Sequence, residues 1–223
     1  MDAILLAAGR STRMGPGLEK QLYRIGGTPM MIFALERILD HPSIDRVIIT
    51  CPIGRQDEVE AIVKEYSIGL CQFIEGGQTR QESVYMALAQ VKTDHVLIHE
   101  AARPLVKPEL IDRVASHQGE DAVVPTTPVP FTTAIGDDYM EQELDRDRLR
   151  NVQLPQMFRT QSLREAHEAA RKQGAVATED SMLLFRAGRR VKFVEGDVEN
   201  IKVTWPVELL VVKSLLFFDR ELT

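Results

Sequence analysis

Short β-branched apolar runs alternate with segments whose apolar residues recur every three or four positions along most of the chain. The run "AILLAA", residues 3–8, predicts a first strand. "TPMMIFALERILDHP" then predicts a helix with Thr28 as its cap, Pro29 at its first position and Ile32, Phe33, Leu35, Ile38 and Leu39 on its apolar face. The alternation continues with strand "RVIITC", helix "GRQDEVEAIVKEY", strand "CQFIEGG" and helix "TRQESVYMALAQV". After these come strand "HVLIHEAARP", helix "PELIDRVASHQ" and strand "DAVVPT". Such an order predicts an α/β fold with a mostly parallel, doubly wound sheet, whose ligands sit at the carboxyl ends of the strands. Three unusual polar clusters, at 9–20, 75–83 and 99–104, each follow a predicted strand, which points to one shared site.

The pattern breaks between about 128 and 158, where there is no long amphipathic stripe, a "GDD" turn signal and many charges. This predicts a polar β-arm, residues 131–153, projecting from a single domain that spans 1–223. A plain surface excursion is the simpler alternative; a second subunit is the obvious surface for so long an arm to pack on. Helical periodicity resumes at "SLREAHEAARKQG" and "EDSMLLFRAG", followed by strand "RVKFVEG" and a closing helix "PVELLVVKSLLFF".

Composition narrows the partners. A chain of 223 residues, 44% apolar and 27% charged, can bury a proper core. Its net charge of −6 argues against nucleic acid or a basic membrane-binding role, so any polyanion site must be a local concentration of Arg and Lys. No apolar run reaches a membrane span and no signal-peptide order is visible at the start. Cys51 and Cys71, each in or beside an apolar run, read as free buried thiols and suggest the cytoplasm.

Four stretches carry candidate chemistry. The loop after the first strand has neither a dinucleotide-binding nor a P-loop spacing. Gly9 and Gly15 still let backbone N–H groups converge on an anion, with Arg13 and Lys20 supplying full charges; a solvated basic loop is the plainer reading. In "EGGQTRQES", Gly76 and Gly77 end a strand, and Arg80 and Ser83 open the next helix. That suits backbone contact with a base or phosphate, and equally suits a tight turn. In "HEAARP", Glu100 can bind magnesium and Arg103 can pair with phosphate, whereas His99 reads as a core or capping residue. In "VENIKVTWP", Lys202 falls in an apparent edge segment, where a lysine ordinarily points to solvent.

Taken in order and spacing, "LLAAGRSTRMG…EKQ", "EGGQTRQESV", "HEAARP", "LPQMF" and "NIKVTWPVEL" resemble the 2-C-methyl-D-erythritol 4-phosphate cytidylyltransferase family over residues 3–212. The resemblance implies a Rossmann-like nucleotidyltransferase that joins CTP to a polyol phosphate and releases pyrophosphate, in isoprenoid precursor synthesis. It implies magnesium as cofactor and a homodimer joined through the arm. Close relatives use ribitol 5-phosphate. By the same resemblance Arg13, Lys20 and Lys202 match catalytic cations, and Ala7, Ala8, Gly9, Gly77, Arg80 and Ser83 match the nucleotide-binding segments. Glu100 matches a carboxylate facing metal and substrate, Arg103 and Thr132 match substrate-side groups, and Arg146 in "LDRDRL" matches an arm arginine that reaches the neighbouring subunit's polyol phosphate. A phosphate nucleophile is already ionised at neutral pH, so the lack of an obvious His–carboxylate pair agrees with this chemistry.

The chain departs from the family pattern at several points. Glu100 stands for an aspartate, and Glu19 for a proline beside the loop lysine. "Phe131-Thr132-Thr133-Ala134" stands for a charged arm base, and Leu154 for a threonine whose hydroxyl is expected near the substrate phosphate. These changes leave three readings: MEP (2-C-methyl-D-erythritol 4-phosphate) as substrate despite them, a different polyol phosphate, or a nucleotide-binding paralogue with little catalysis. A purely regulatory or scaffolding protein is disfavoured by the joint presence of Arg13, Lys20, Arg80, Arg103 and Lys202.

Overall fold

The computed structural model describes residues 1–9 and 20–221. Strand β1 (Asp2–Leu6) leads, past a 3₁₀ turn at Lys20–Leu22, into a small hairpin of β2 (Arg24–Ile25) and β3 (Thr28–Pro29) and then helix α1 (Met30–Leu39). The units β4 (Arg46–Cys51), α2 (Gln56–Glu65), β5 (Cys71–Glu75), α3 (Arg80–Leu88), β6 (His95–Glu100), α4 (Pro108–Ala115) and β7 (Ala122–Pro128) follow. An excursion holds β8 (Ala134–Gly136), β9 (Met140–Glu143) and β10 (Arg150–Val152). The chain closes with β11 (Gln156–Arg159), α5 (Thr160–Gln173), α6 (Asp180–Arg186), β12 (Val191–Glu195) and α7 (Pro206–Glu221).

One eight-stranded sheet organises the molecule, in the order β10-β7-β11-β6-β1-β4-β5, with β12 added to β7. Strand β1 lies parallel between β4 and β6, Leu5 opposite Ile49 and His99. Alternate side chains point to opposite faces. Ala3, Leu5, Val47, Ile49 and Leu97 therefore pack under α1, α2 and α4, while Ile4, Ile48, Val96 and Ile98 pack under α3, α5 and α6. The sheet is thus covered on both faces and mostly parallel, as its near-continuous apolar strands require.

Two features correct the sequence reading. The end of the supposed arm, β10, pairs antiparallel with β7 in the main sheet. Just past the arm, where the stretch 128–158 showed no pattern, β11 runs antiparallel between β6 and β7, with Phe158 opposite Val96 and Ala122. Four residues with three fully buried give no alternation to read, so "QMF" hid as loop. Thr28 does not cap α1: it pairs with Ile25 in the hairpin, and Pro29 is the N-cap residue, without a side-chain hydrogen bond.

A third apolar cluster ties distant segments together. Ile25, Met30, Ala102, Leu105, Val203, Leu209 and Val212 are all buried in it. Helix α7 seals this cluster. Its Glu208 carboxylate accepts the backbone N–H of both Thr204 and Trp205, standing in for an N-cap side chain. Phe217 lies so close to Gly26 that an added Cβ would stand 2.5 Å from the ring, and Gly26 also has φ +58. The β8–β9 hairpin pairs only with itself among the described strands, and Phe131, Tyr139 and Met140 beside it are largely exposed.

Candidate active site

The carboxyl ends of β1, β4, β5 and β6 open on a cleft of about 510 Å³. Its floor is the turn after β1, where the Ala7 N–H donates to the Thr50 carbonyl at 3.1 Å. The second wall is the β5–α3 turn. A Cβ on Gly76 would stand 2.4 Å from Ala8 Cβ and 3.0 Å from Ser83 Oγ, so the two turns can close on each other only because residue 76 is glycine. Ser83 Oγ accepts from Gly77 N–H at 3.0 Å and donates to the Thr79 carbonyl at 2.9 Å, fixing the loop. Thr79 caps α3 by accepting from Glu82 N–H, and Glu82 reaches back to Gln78 N–H at 2.8 Å. This is a reciprocal cap of the kind that fixes where a helix begins.

Glu100, at the end of β6, is the electrostatic centre. Lys202 Nζ lies 2.9 Å from Oε1 and 2.7 Å from Oε2, though only the first contact has hydrogen-bond geometry. Arg80 Nε stands 3.4 Å from Oε1 and Arg103 Nε 3.9 Å from Oε2. Burial pushes the Glu100 carboxyl up, but Lys202, Arg80 and Arg103 outweigh it and bring its pKa down to about 2. Burial likewise disfavours the Arg80 charge, and the carboxylates of Asp180, Glu179 and Glu100 reverse that and raise its pKa. The opposite wall holds Lys20, whose Nζ donates to the Val203 carbonyl at 2.9 Å. Both loop lysines are therefore tied to one backbone segment, residues 201–204.

The structure gathers Ala7, Ala8, Gly9, Lys20, Gly77, Arg80, Ser83, Glu100 and Lys202 around the cleft. Arg13 and Glu19 lie outside the described residues. Arg103 does not line the cleft; it is buried behind Glu100, with Nη1 donating to the Asn200 carbonyl at 2.8 Å. Thr132 and Arg146 are exposed on the excursion, away from the cleft. Lys202 is in no strand, and it points at Glu100 rather than to solvent. Leu154 also differs from expectation: its side chain is fully buried against the α3–α5–α6 face and does not line the cleft.

His99 is a core residue, as its position suggests. Its Nε2 lies 3.0 Å from the Arg103 carbonyl, and burial lowers its pKa to about 4, so it is neutral at pH 7. Cys51 is buried and Cys71 half-buried, both free, and burial pushes the Cys51 thiol up to about 12. Three residues escaped the sequence reading: Glu179 and Asp180, which meet Arg80 from behind, and His167, which holds Asp180. The acidic pair at the start of α6 was the only signal, and acids at a helix start are commonplace.

A cleft at the strand ends of a doubly wound sheet, floored by a small-residue turn and lined by lysines from both ends of the chain, defines a nucleotidyltransferase-type polyphosphate site. Comparison with known proteins narrows the class. Residues 1–217 match the family model for 2-C-methyl-D-erythritol 4-phosphate cytidylyltransferase, and the chain belongs to that family. It is 37% identical to the cytidylyltransferase of that name from Bacillus cytotoxicus, covering 97% of this chain and 98% of the relative. A relative of the same name from Geobacillus thermodenitrificans is 36% identical, over 96% of both chains. The crystal structure of the Thermus thermophilus enzyme of that name superposes with a TM-score of 0.79 at 32% identity, covering 96% of this chain and 97% of that one.

Proposed function

We propose that this cleft performs the family's reaction: it joins CTP and MEP to give 4-diphosphocytidyl-2-C-methyl-D-erythritol and pyrophosphate. The observation that carries the reading is the convergence of Lys20 and Lys202, from opposite ends of the chain, on the cleft formed by the β1 and β5–α3 turns. In the reaction a phosphate oxygen of the polyol attacks the α-phosphorus of CTP. The bond from that phosphorus to the bridging oxygen breaks, and the electron pair leaves with pyrophosphate. No proton has to move, so no general base is needed. What opposes the step is repulsion between two anions, and fixed cations in a partly enclosed site lower that barrier. The relatives named above all carry the MEP name, so ribitol 5-phosphate is not the favoured acceptor.

Magnesium belongs to the proposal. Among the described residues no group of three or more His, Cys, Asp or Glu side chains is placed to hold a metal. The cleft instead offers a single carboxylate, Glu100, whose buried Oε2 accepts no hydrogen bond. That donor set fits an ion bound mainly through triphosphate oxygens and water with one protein carboxylate. When bound, magnesium would neutralise triphosphate charge. A homodimer, with Thr132 and Arg146 of each arm serving the neighbour's acceptor site, is supported by the exposed apolar residues around the β8–β9 hairpin, which among the described strands pairs only with itself. Among the described residues no helix is long and apolar enough to cross a membrane, and free thiols suit the cytoplasm. The test is a competition: with CTP and magnesium, kcat/KM for pyrophosphate release should favour MEP over ribitol 5-phosphate by at least tenfold, on the order of the discrimination one or two polar contacts provide. Equal use of both would remove the acceptor assignment.

A further inference from the structure

Arg80 is gripped from outside the cleft. Its Nη1 donates to Asp180 Oδ2 at 2.7 Å, its Nη2 stands 3.0 Å from Glu179 Oε2, and only Nε turns toward Glu100, at 3.4 Å. Asp180 opens α6, is fully buried, and accepts at its other oxygen, Oδ1, from His167 Nε2 on α5 at 2.9 Å. An ionised carboxylate can only accept, so Nε2 carries the proton in that contact. Asp180 thus has both oxygens committed and one orientation available. Burial works against its charge, and Arg80 and His167 overcome this to keep its pKa below the usual value. Glu179, beside it, is pushed the other way, first by burial and then by Glu100 and Asp180, against the pull of Arg80. Asp180 is therefore the firm anchor of the two.

A guanidinium is a rigid fork that prefers two parallel bonds to one carboxylate. Glu100 offers such a carboxylate, and Arg80 nevertheless reaches it only through one long contact, while Lys202 lies closer, at 2.7 and 2.9 Å. We propose that Asp180, seated by His167, is a positioning residue for the cytidylyl transfer: it draws the Arg80 fork back from Glu100, and Glu100 is left to hold Lys202 at the cleft. Without this restraint the fork closes on Glu100, and Lys202 loses its anchor. The inference rests on the reading of the cleft as the transfer site.

The experiment measures kcat and KM for CTP and MEP, with thermal melting, on the full chain. Asp180→Asn keeps the volume and removes the charge. It should lower kcat by about tenfold to a hundredfold, the scale of a misplaced catalytic group, with KM for CTP changed much less. Because Asp180 acts through Arg80, the effects should not multiply: in an Arg80→Ala background, Asp180→Asn should leave kcat where Arg80→Ala alone put it. That double variant should also melt above Arg80→Ala, since one of two stranded buried carboxylates is gone. His167→Phe removes the donor and should lower kcat in the same direction, while His167→Gln, whose amide can replace Nε2–H, should regain most of it. If Asp180→Asn fails to fold, the two His167 variants decide. Folded Asp180→Asn or His167→Phe with wild-type kcat, or multiplicative effects with Arg80→Ala, would overturn the inference while leaving the transferase reading intact. A wild type that makes no product from CTP and MEP would defeat that reading and this inference with it.

Discussion

At the Glu100 carboxylate three cations outweigh the effect of burial, so removing the charge has consequences for both stability and catalysis. Its folded pKa of about 2 lies below the ordinary 4.5, so its contribution is complete above about pH 4.5 and is lost as pH falls toward 2. The span corresponds to about 3 kcal/mol. Glu100→Gln should therefore unfold more easily at pH 7, and the gap from wild type should close on acidification; denaturant titrations at pH 7, 4 and 3 would show it. A gap that widens in acid would contradict this electrostatic account. The same variant should require more magnesium for turnover, which a strand-end carboxylate with no role at the metal would not show. Lys20→Ala should fold and lose about two to three orders of magnitude in turnover, as for other fixed charges that act on the transition state. Lys20 and Glu100 were legible in the sequence because charged residues at or after the carboxyl end of a strand in an α/β pattern have a known destination, whereas Lys202, read from its own segment as facing solvent, was reached only through the family resemblance. Asp180 and His167 were not, since their meaning depends on Arg80, which is far away along the chain and adjacent only in the fold.

Among the elements, the turns matter more than the helices they join. The β1 and β5–α3 turns approach so closely that Gly76→Ala should push Ala8 and Ser83 apart. The expected cost is about 1–3 kcal/mol of stability, with a weakened affinity for CTP by calorimetry. Unchanged CTP binding would mean that the Ala8–Gly76 approach does not shape the nucleotide site. Most helices and parallel strands were readable because both faces of the sheet are covered, which forces apolar strands and one-sided helices. Strand β11 was missed for the converse reason: it is short, enters antiparallel after an irregular excursion, and owes its place to two neighbours rather than to its own pattern. The connection at 201–204 was misread as a strand edge because its order comes from Lys20, Ala102 and α7 rather than from a ladder.

For the whole molecule, the proposal of shared sites makes a quantitative claim. If Arg146 completes the neighbour's site, Lys20→Ala and Arg146→Ala chains mixed at random should regain about a quarter of wild-type activity, because half the dimers are mixed and each has one intact site. Mixed dimers that form and stay inactive would show that the arm serves its own subunit. The central claim is that the polyol phosphate attacks the α-phosphorus of CTP within this cleft. The most direct measurement uses MEP labelled with ¹⁸O in its phosphate, CTP, magnesium and the purified protein, with both products weighed by mass spectrometry. The account predicts that all the label remains in 4-diphosphocytidyl-2-C-methyl-D-erythritol and none enters pyrophosphate. Label in pyrophosphate, or CTP consumed without formation of the diphosphocytidyl product, would contradict it.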